Sequence, residues 1–274
     1  MFAKAVRSAS QFTFPYVGLR RTGSGGVHAS LGAFIVLNAD GWALTSGHIV
    51  DDILACERDT QAIASGELHA TEATDRCARH VELWAVPRFQ DSKPRLAEAR
   101  VRPLSDVALV RLESLGAWVP EVLPVLRDVA GAPLDQGVSV CRYGYPFHHI
   151  EAGYDLELNE FSLQQESFPV PSFALDGIIA RFRMVRAPDG ASALFIETST
   201  PGLRGQSGGP LLDVDGRVCG LQSHTTHLDL GFDARFDSDD GQKTERQFLN
   251  VGAASHVAEI VSLLDEAGVA YVVG

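Results

Sequence analysis

The apolar and polar positions of this chain fall into short blocks rather than long helical periods. Residues 32–45 read Gly-Ala-Phe-Ile-Val-Leu, then Asn-Ala-Asp-Gly, then Trp-Ala-Leu-Thr. Two apolar runs around a turn-forming tetrad predict a β-hairpin. Further short apolar or β-rich runs lie at residues 81–86, 107–112, 138–142, 177–183, 194–198, 210–214 and 217–222, mostly bounded by turn residues. That spacing predicts an all-β sandwich or barrel. One stretch departs from it: Val257, Ile260, Val261 and Leu264 share one helical face and Gly268 follows, so an amphipathic helix is expected over 253–267. Residues 51–79, rich in Ala, Glu, Asp and Thr, read as a helical or irregular insertion. Residues 229–246 read as an acidic, glycine-containing surface loop. The segment 120–133, with Pro120, Pro124 and Pro133, reads as a linker between two halves, 1–125 and 126–274.

Composition narrows the class. With 45% apolar and 21% charged residues in 274, the chain can bury a real core and lacks the polar bias of disorder. A net charge of −12 repels phosphate backbones, which argues against a nucleic-acid partner. No apolar run reaches membrane-spanning length, and residues 1–11 carry Lys4 and Arg7 without the apolar stretch of a signal peptide. A cytoplasmic protein without a membrane partner is therefore expected. The scattered cysteines Cys56, Cys77, Cys141 and Cys219 agree with a reducing compartment. Cys56, His69, Cys77 and His80 are zinc-ligand types, but their irregular spread favours free thiols over a metal site, and no cofactor is expected.

The most informative hexapeptide is Gly205-Gln206-Ser207-Gly208-Gly209-Pro210. A serine between glycines in a tight turn exposes its hydroxyl while neighbouring amides point outward. The amides of Gly205 and Ser207 are the expected oxyanion hole for the tetrahedral intermediate of acyl transfer. A serine hydroxyl needs an adjacent base at neutral pH. His48, in Thr45-Ser46-Gly47-His48, directly follows an apolar strand and is the candidate among nine histidines. The third partner must be a carboxylate that fixes the imidazole tautomer. Asp106, at the mouth of Val107-Ala108-Leu109-Val110, fits that part.

The order His, Asp, Ser and the surrounding sequences resemble the trypsin-like serine peptidases, and more closely their bacterial HtrA-type branch. Besides the three sites, the resemblance rests on Tyr143-Gly144-Tyr145-Pro146, Gly177-Ile178-Ile179-Ala180, the run from Leu211 to Gly220, and Phe248-Leu249-Asn250-Val251-Gly252-Ala253. It implies two six-stranded antiparallel β-barrels and a C-terminal helix, with His48 and Asp106 on the first barrel and Ser207 on the second. It also implies a bacterial endopeptidase acting on protein or peptide substrates. Digestive members carry an aspartate before the serine. Here the residue is Gln206, so activation by a newly cleaved N-terminus is not expected. No appended PDZ domain is expected either, because the chain ends just after its helix.

By the same resemblance, Pro201, Gly202, Leu203 and Arg204, with Ser223, His224 and Thr225, shape the substrate pocket. No aspartate stands at its base, which argues against Arg or Lys at P1 and favours small or medium apolar side chains. Two alternatives stay open. One is a catalytically silent module that binds a peptide or partner. The other is a latent protease whose loop 203–206 is ordered in trans by a regulator. The oligomeric state is open as well.

Overall fold

The computed structural model describes residues 1–21, 26–66, 78–82, 95–114, 121–128, 130–131, 133–155, 157–158, 160–238 and 241–274. The first sheet contains β1 (Thr13–Arg21), β2 (Val27–Val36), β3 (Trp42–Ser46), β4 (Ala78–Glu82), β5 (Arg95–Arg102) and β6 (Val107–Glu113). Its order is β4-β1-β2-β3-β6-β5. The expected hairpin is β2–β3, paired through Ile35 with Leu44 and Val36 with Ala43. Asn38 makes its turn: Oδ1 accepts from the amides of Asp40 and Trp42, substituting a side chain for backbone pairing.

The second sheet contains β7 (Val125–Leu126), β8 (Ser139–Gly144), β11 (Phe173–Arg186), β12 (Ser192–Thr198), β13 (Pro210–Leu212), β14 (Val218–Ser238), β15 (Gly241–His256) and β16 (Val272–Val273). A small hairpin, β9 (Ala152–Asp155) with β10 (Glu160–Leu163), stands apart. Because β13 pairs with both β8 and β14, the ladder β13-β8-β11-β12-β15-β14 returns to its start. Six strands thus form a ring. The all-β class holds; the α-helices among the described residues are α1 (Ala3–Ala9), α2 (Gly47–Ser65) and α3 (Val257–Ala267).

Apolar packing joins the two sheets. One core cluster contains Ile35, Leu44 and Leu109 of the first sheet together with Tyr143, Leu212 and Leu221 of the second. Phe2 and Ala5 near the N-terminus and Ile260, Leu263 and Leu264 of α3 belong to the same cluster, so both terminal helices bind the halves together. A separate cluster, with Val140, Ile179, Ile196 and Leu211, lies within the second sheet. On β8 the alternation is plain: Val140 belongs to this cluster, and Cys141 and Tyr143 belong to the shared one. Cys141 and Cys219 are free and buried, and burial pushes their thiols up to about 11 and about 12.

Several expectations are corrected. The helix begins at Val257, not at residue 253, because Gly252 to Ser255 pair with β12 as strand. Its cap is His256, whose side chain accepts from the Ala258 amide. Residues 229–246 are no loop: Asp233 pairs with Arg246 and Ser238 with Gly241, so β14 and β15 extend outward as a long hairpin. Its charges are compatible with strand because both faces meet water, leaving Phe232, Phe236 and Phe248 exposed as well. The expected linker contains β7, which pairs in parallel with β14 and β16. The insertion begins as helix α2, which runs from Gly47, earlier than expected, to Ser65, and residues 67–77 lie outside the described residues. His69 and Cys77, and the side chains of Cys56 and His80, lie outside the described residues. Among those described, no helix is long and apolar enough to cross a membrane.

Leu264 is fully buried in the shared core. Leu264→Ala is expected to lower stability by about 2–5 kcal/mol, as deletion of a buried leucine side chain does. Equilibrium denaturation monitored by tryptophan fluorescence measures it.

Candidate active site

His48 is the second residue of α2, where strand β3 turns into helix. The turn is anchored by buried hydroxyls: Thr45 Oγ1 donates to Ala33 O at 2.8 Å and Ser46 Oγ to Gln222 O at 2.7 Å. The second bond crosses from one sheet to the other. Asp106 closes a turn before β6, with its amide donating to Pro103 O, in a left-handed conformation (φ 52°). Non-glycine residues rarely adopt it, though Asp is among those that do. The conformation turns the carboxylate toward α2, where Oδ1 accepts from the His48 backbone amide at 2.9 Å. His48 Nδ1 lies 3.1 Å from Oδ1 and 3.0 Å from Oδ2.

The second sheet supplies a further donor. Ser223 Oγ donates to Asp106 Oδ2 at 2.5 Å. Having given its proton there, the hydroxyl accepts from His224 Nδ1 at 2.9 Å, which leaves His224 Nε2 to accept from Arg183 Nη2 at 3.3 Å. Burial, together with the Arg183 charge, holds His224 below its ordinary pKa and hence neutral at pH 7. For Asp106, burial alone would raise the pKa. Hydrogen bonds from His48 and Ser223 and the His48 charge outweigh burial and hold the carboxyl below its ordinary value. The hydrogen bond to Asp106 raises His48 above 6.5 against the opposing effect of burial, with smaller help from Asp52 and Asp51.

Ser207 sits in the turn between β12 and β13. Its carbonyl accepts from Ala33 N at 2.8 Å, a second bond between the sheets. The following Gly208 has φ 81°, and a Cβ there would overlap the Ala33 carbonyl oxygen, so glycine is required on both counts. Preceding it, Gln206 N donates to Leu203 O at 3.0 Å with Gly205 at φ 94°, the signature of a type II turn. Gln206 is buried, and its Oε1 accepts from Leu203 N at 3.1 Å, bracing the loop with a neutral amide. Among the described residues, the amides of Gly205 and Ser207 donate to no acceptor. The Ser207 hydroxyl donates to Ser223 O at 3.2 Å rather than to His48.

One cavity of about 610 Å³ adjoins Ser207. Residues 201–204 and 223–225 all line it, as do His227 and three residues not expected there from the sequence, Arg142, Gln222 and Asn250. Gln222 is central to its wall. Its Nε2 donates to Tyr143 O and Pro210 O, and its Oε1 accepts from Arg142 Nη1. Arg142 and Tyr143 are about 80 residues away in sequence and Pro210 is 12 away, so no single local motif carries the set.

A trypsin-like peptidase domain profile matches residues 32–221, a span that includes His48, Asp106 and Ser207. The chain belongs to the trypsin-like peptidases. It is similar to the probable periplasmic serine endoprotease DegP-like of Ectopseudomonas mendocina (strain ymp), at 27% identity over 203 residues, covering 74% of this chain and 31% of that protein. Its fold is similar to that of the HtrA-type protease AlgW with tripeptide, at 16% identity and a TM-score of 0.53, covering 98% of this chain and 64% of that one. The Rv3671c protease from M. tuberculosis in its active form gives the same identity and TM-score, with 98% and 86% covered. This trypsin-like chain therefore spans about a third of its curated relative.

The His48 imidazole is expected to titrate above 6.5, and Asp106→Asn to bring the midpoint down, since the raising contact is removed. Proton NMR of the ring resonances across pH measures both.

Proposed function

We propose that the chain is a serine endopeptidase in which Ser207 attacks the scissile carbonyl and His48 takes its proton. The observation that carries this reading is the pairing of His48 Nδ1 with the Asp106 carboxylate, beside a serine flanked by two unbonded amides. Asp106 fixes the imidazole with Nε2 as the acceptor and stabilises the imidazolium once formed. The amides of Gly205 and Ser207 stabilise the oxyanion, a contribution of about 3–4 kcal/mol per donor in comparable sites. Collapse of the intermediate breaks the C–N bond, and the leaving amine takes the proton from His48. Water then attacks the acyl-serine by the same route in reverse.

The substrate is a protein or peptide, and its P1 residue is not Arg or Lys. Among the described residues, no aspartate or glutamate lines the cavity to meet a cation. The bond from Ser207 Oγ to Ser223 O supports a second reading, a resting enzyme whose hydroxyl turns to His48 only when substrate or a partner protein binds.

A fluorophosphonate probe is expected to label Ser207, and neither Ser207→Ala nor His48→Ala should react. Labelling should rise with pH through a midpoint above 6.5, because only neutral His48 accepts the proton and its raised pKa postpones deprotonation. Asp106→Asn should slow labelling by about 10³–10⁴-fold. Absence of labelling with and without peptide would assign the chain to a binding role. Labelling only with added peptide identifies the resting enzyme.

A further inference from the structure

Arg142 is the largest fully buried side chain among the described residues, at 1% exposure, and it lines the cavity next to Ser207. It stands on β8 two residues after Val140, so it points to the same side as that core residue, at a position the alternation assigns to an apolar side chain. Its guanidinium is held by neutral acceptors only. Nε and Nη2 donate to Thr198 Oγ1 at 3.1 and 2.7 Å, and Nη1 to Gln222 Oε1 at 3.2 Å. Five N–H groups are present and three of these bonds are made, so both terminal nitrogens keep a donor to spare.

No carboxylate pairs with Arg142 among the described residues. Glu197, next to Thr198 on β12, is buried but engaged by Arg181 and Arg183. Burial lowers the Arg142 pKa to about 10, which still leaves it charged at neutral pH. An uncompensated buried cation is costly, and a glutamine or methionine could span the same space without that cost. The expense is explained if the missing anion arrives with a ligand.

The surroundings agree. Gly252 lies against the guanidinium so closely that a Cβ there would overlap it, and the Gly202 nitrogen adjoins the same point. Thr225 Oγ1 donates to Gly202 O at 2.7 Å, tying together two of the segments that line the cavity. Among the described residues the lining includes Arg204, His224 and His227 and no acidic residue, in a protein whose net charge is −12. Half-buried Ser207 and fully buried Arg142 both line it.

We propose that this cavity selects an acidic P1 residue, whose carboxylate pairs with the Arg142 guanidinium; the assignment of the pocket as S1 rests on the peptidase reading. It replaces the expectation of a small or medium apolar P1. Arg142 is a specificity-determining residue, and the negative charge that its site lacks is supplied by substrate.

Binding of product-like peptides to Ser207→Ala tests this without requiring turnover. Two peptides that differ only in a C-terminal Glu or Gln are compared by calorimetry. The Glu peptide is expected to bind at least tenfold tighter, and the ratio to fall to about one in Arg142→Met. If that variant does not fold, Arg142→Gln keeps the polar contacts and removes the charge. Arg235→Gln, on the exposed outer hairpin and outside the cavity, should keep the preference. Equal binding of the two peptides, or a preference that survives loss of Arg142 or disappears with Arg235, would overturn the proposal. Fluorophosphonate labelling of the intact protein separates the two readings: labelling without Glu selectivity refutes only the pocket, and Glu selectivity without labelling refutes only the peptidase.

Discussion

The carboxylate of Asp106 is held from both sheets at once, and the geometry of the cleft follows from that. His48 approaches it from the first sheet through two nitrogens, and Ser223 from the second through its hydroxyl. A largely buried carboxylate is tolerated only when such partners replace its water. The two sheets must therefore meet at a fixed separation along this seam. Other polar contacts enforce it, Ser46 with Gln222 and Ala33 with Ser207, while Ser255 Oγ bonds Ser105 O next to Asp106 itself. The shared apolar core behind them supplies the adhesion that makes such directional contacts affordable.

The second sheet adds the electrostatics. Its strand ring has an apolar interior around Val140, Ile179 and Ile196 that gives way at one end to Arg142, Thr198 and Gln222. Gln222 reaches Tyr143 O, Pro210 O and Arg142, so the same side chain positions the strand beside Ser207 and the cation in the cavity. A basic cavity in an acidic molecule favours anionic groups locally while repelling them elsewhere, which concentrates selectivity at one place. In the proposed peptidase, reaction chemistry and side-chain selection would thus use neighbouring parts of one hydrogen-bonded framework.

Much of this was legible locally. The Gly205 to Gly209 run forecasts a tight turn because no other residue tolerates φ 81° against the Ala33 carbonyl, and that requirement is written in adjacent letters. The strand before His48 and the strand after Asp106 were equally readable from their apolar runs. Non-local partnerships were not: Ser223 looked like pocket wall, yet its hydroxyl lies on Asp106, 117 residues away. Arg142 left a signal in the inward position it occupies beside Val140, but its meaning needed Thr198 and Gln222 in place. The hairpin beyond Asp229 was misread because its charged, two-sided wet strands lack the alternation that marks a half-buried strand. Small residues 252–255 blurred the boundary of the final helix, since the helical apolar track begins only at Val257.

The most direct test of the account is the pre-steady-state reaction with p-nitrophenyl acetate, followed by mass spectrometry of the quenched protein. A burst of nitrophenolate close to one equivalent per chain, with the acetyl group on Ser207 and no burst in His48→Ala, is the predicted result. Acetylation elsewhere, or an equal burst in His48→Ala, would contradict it.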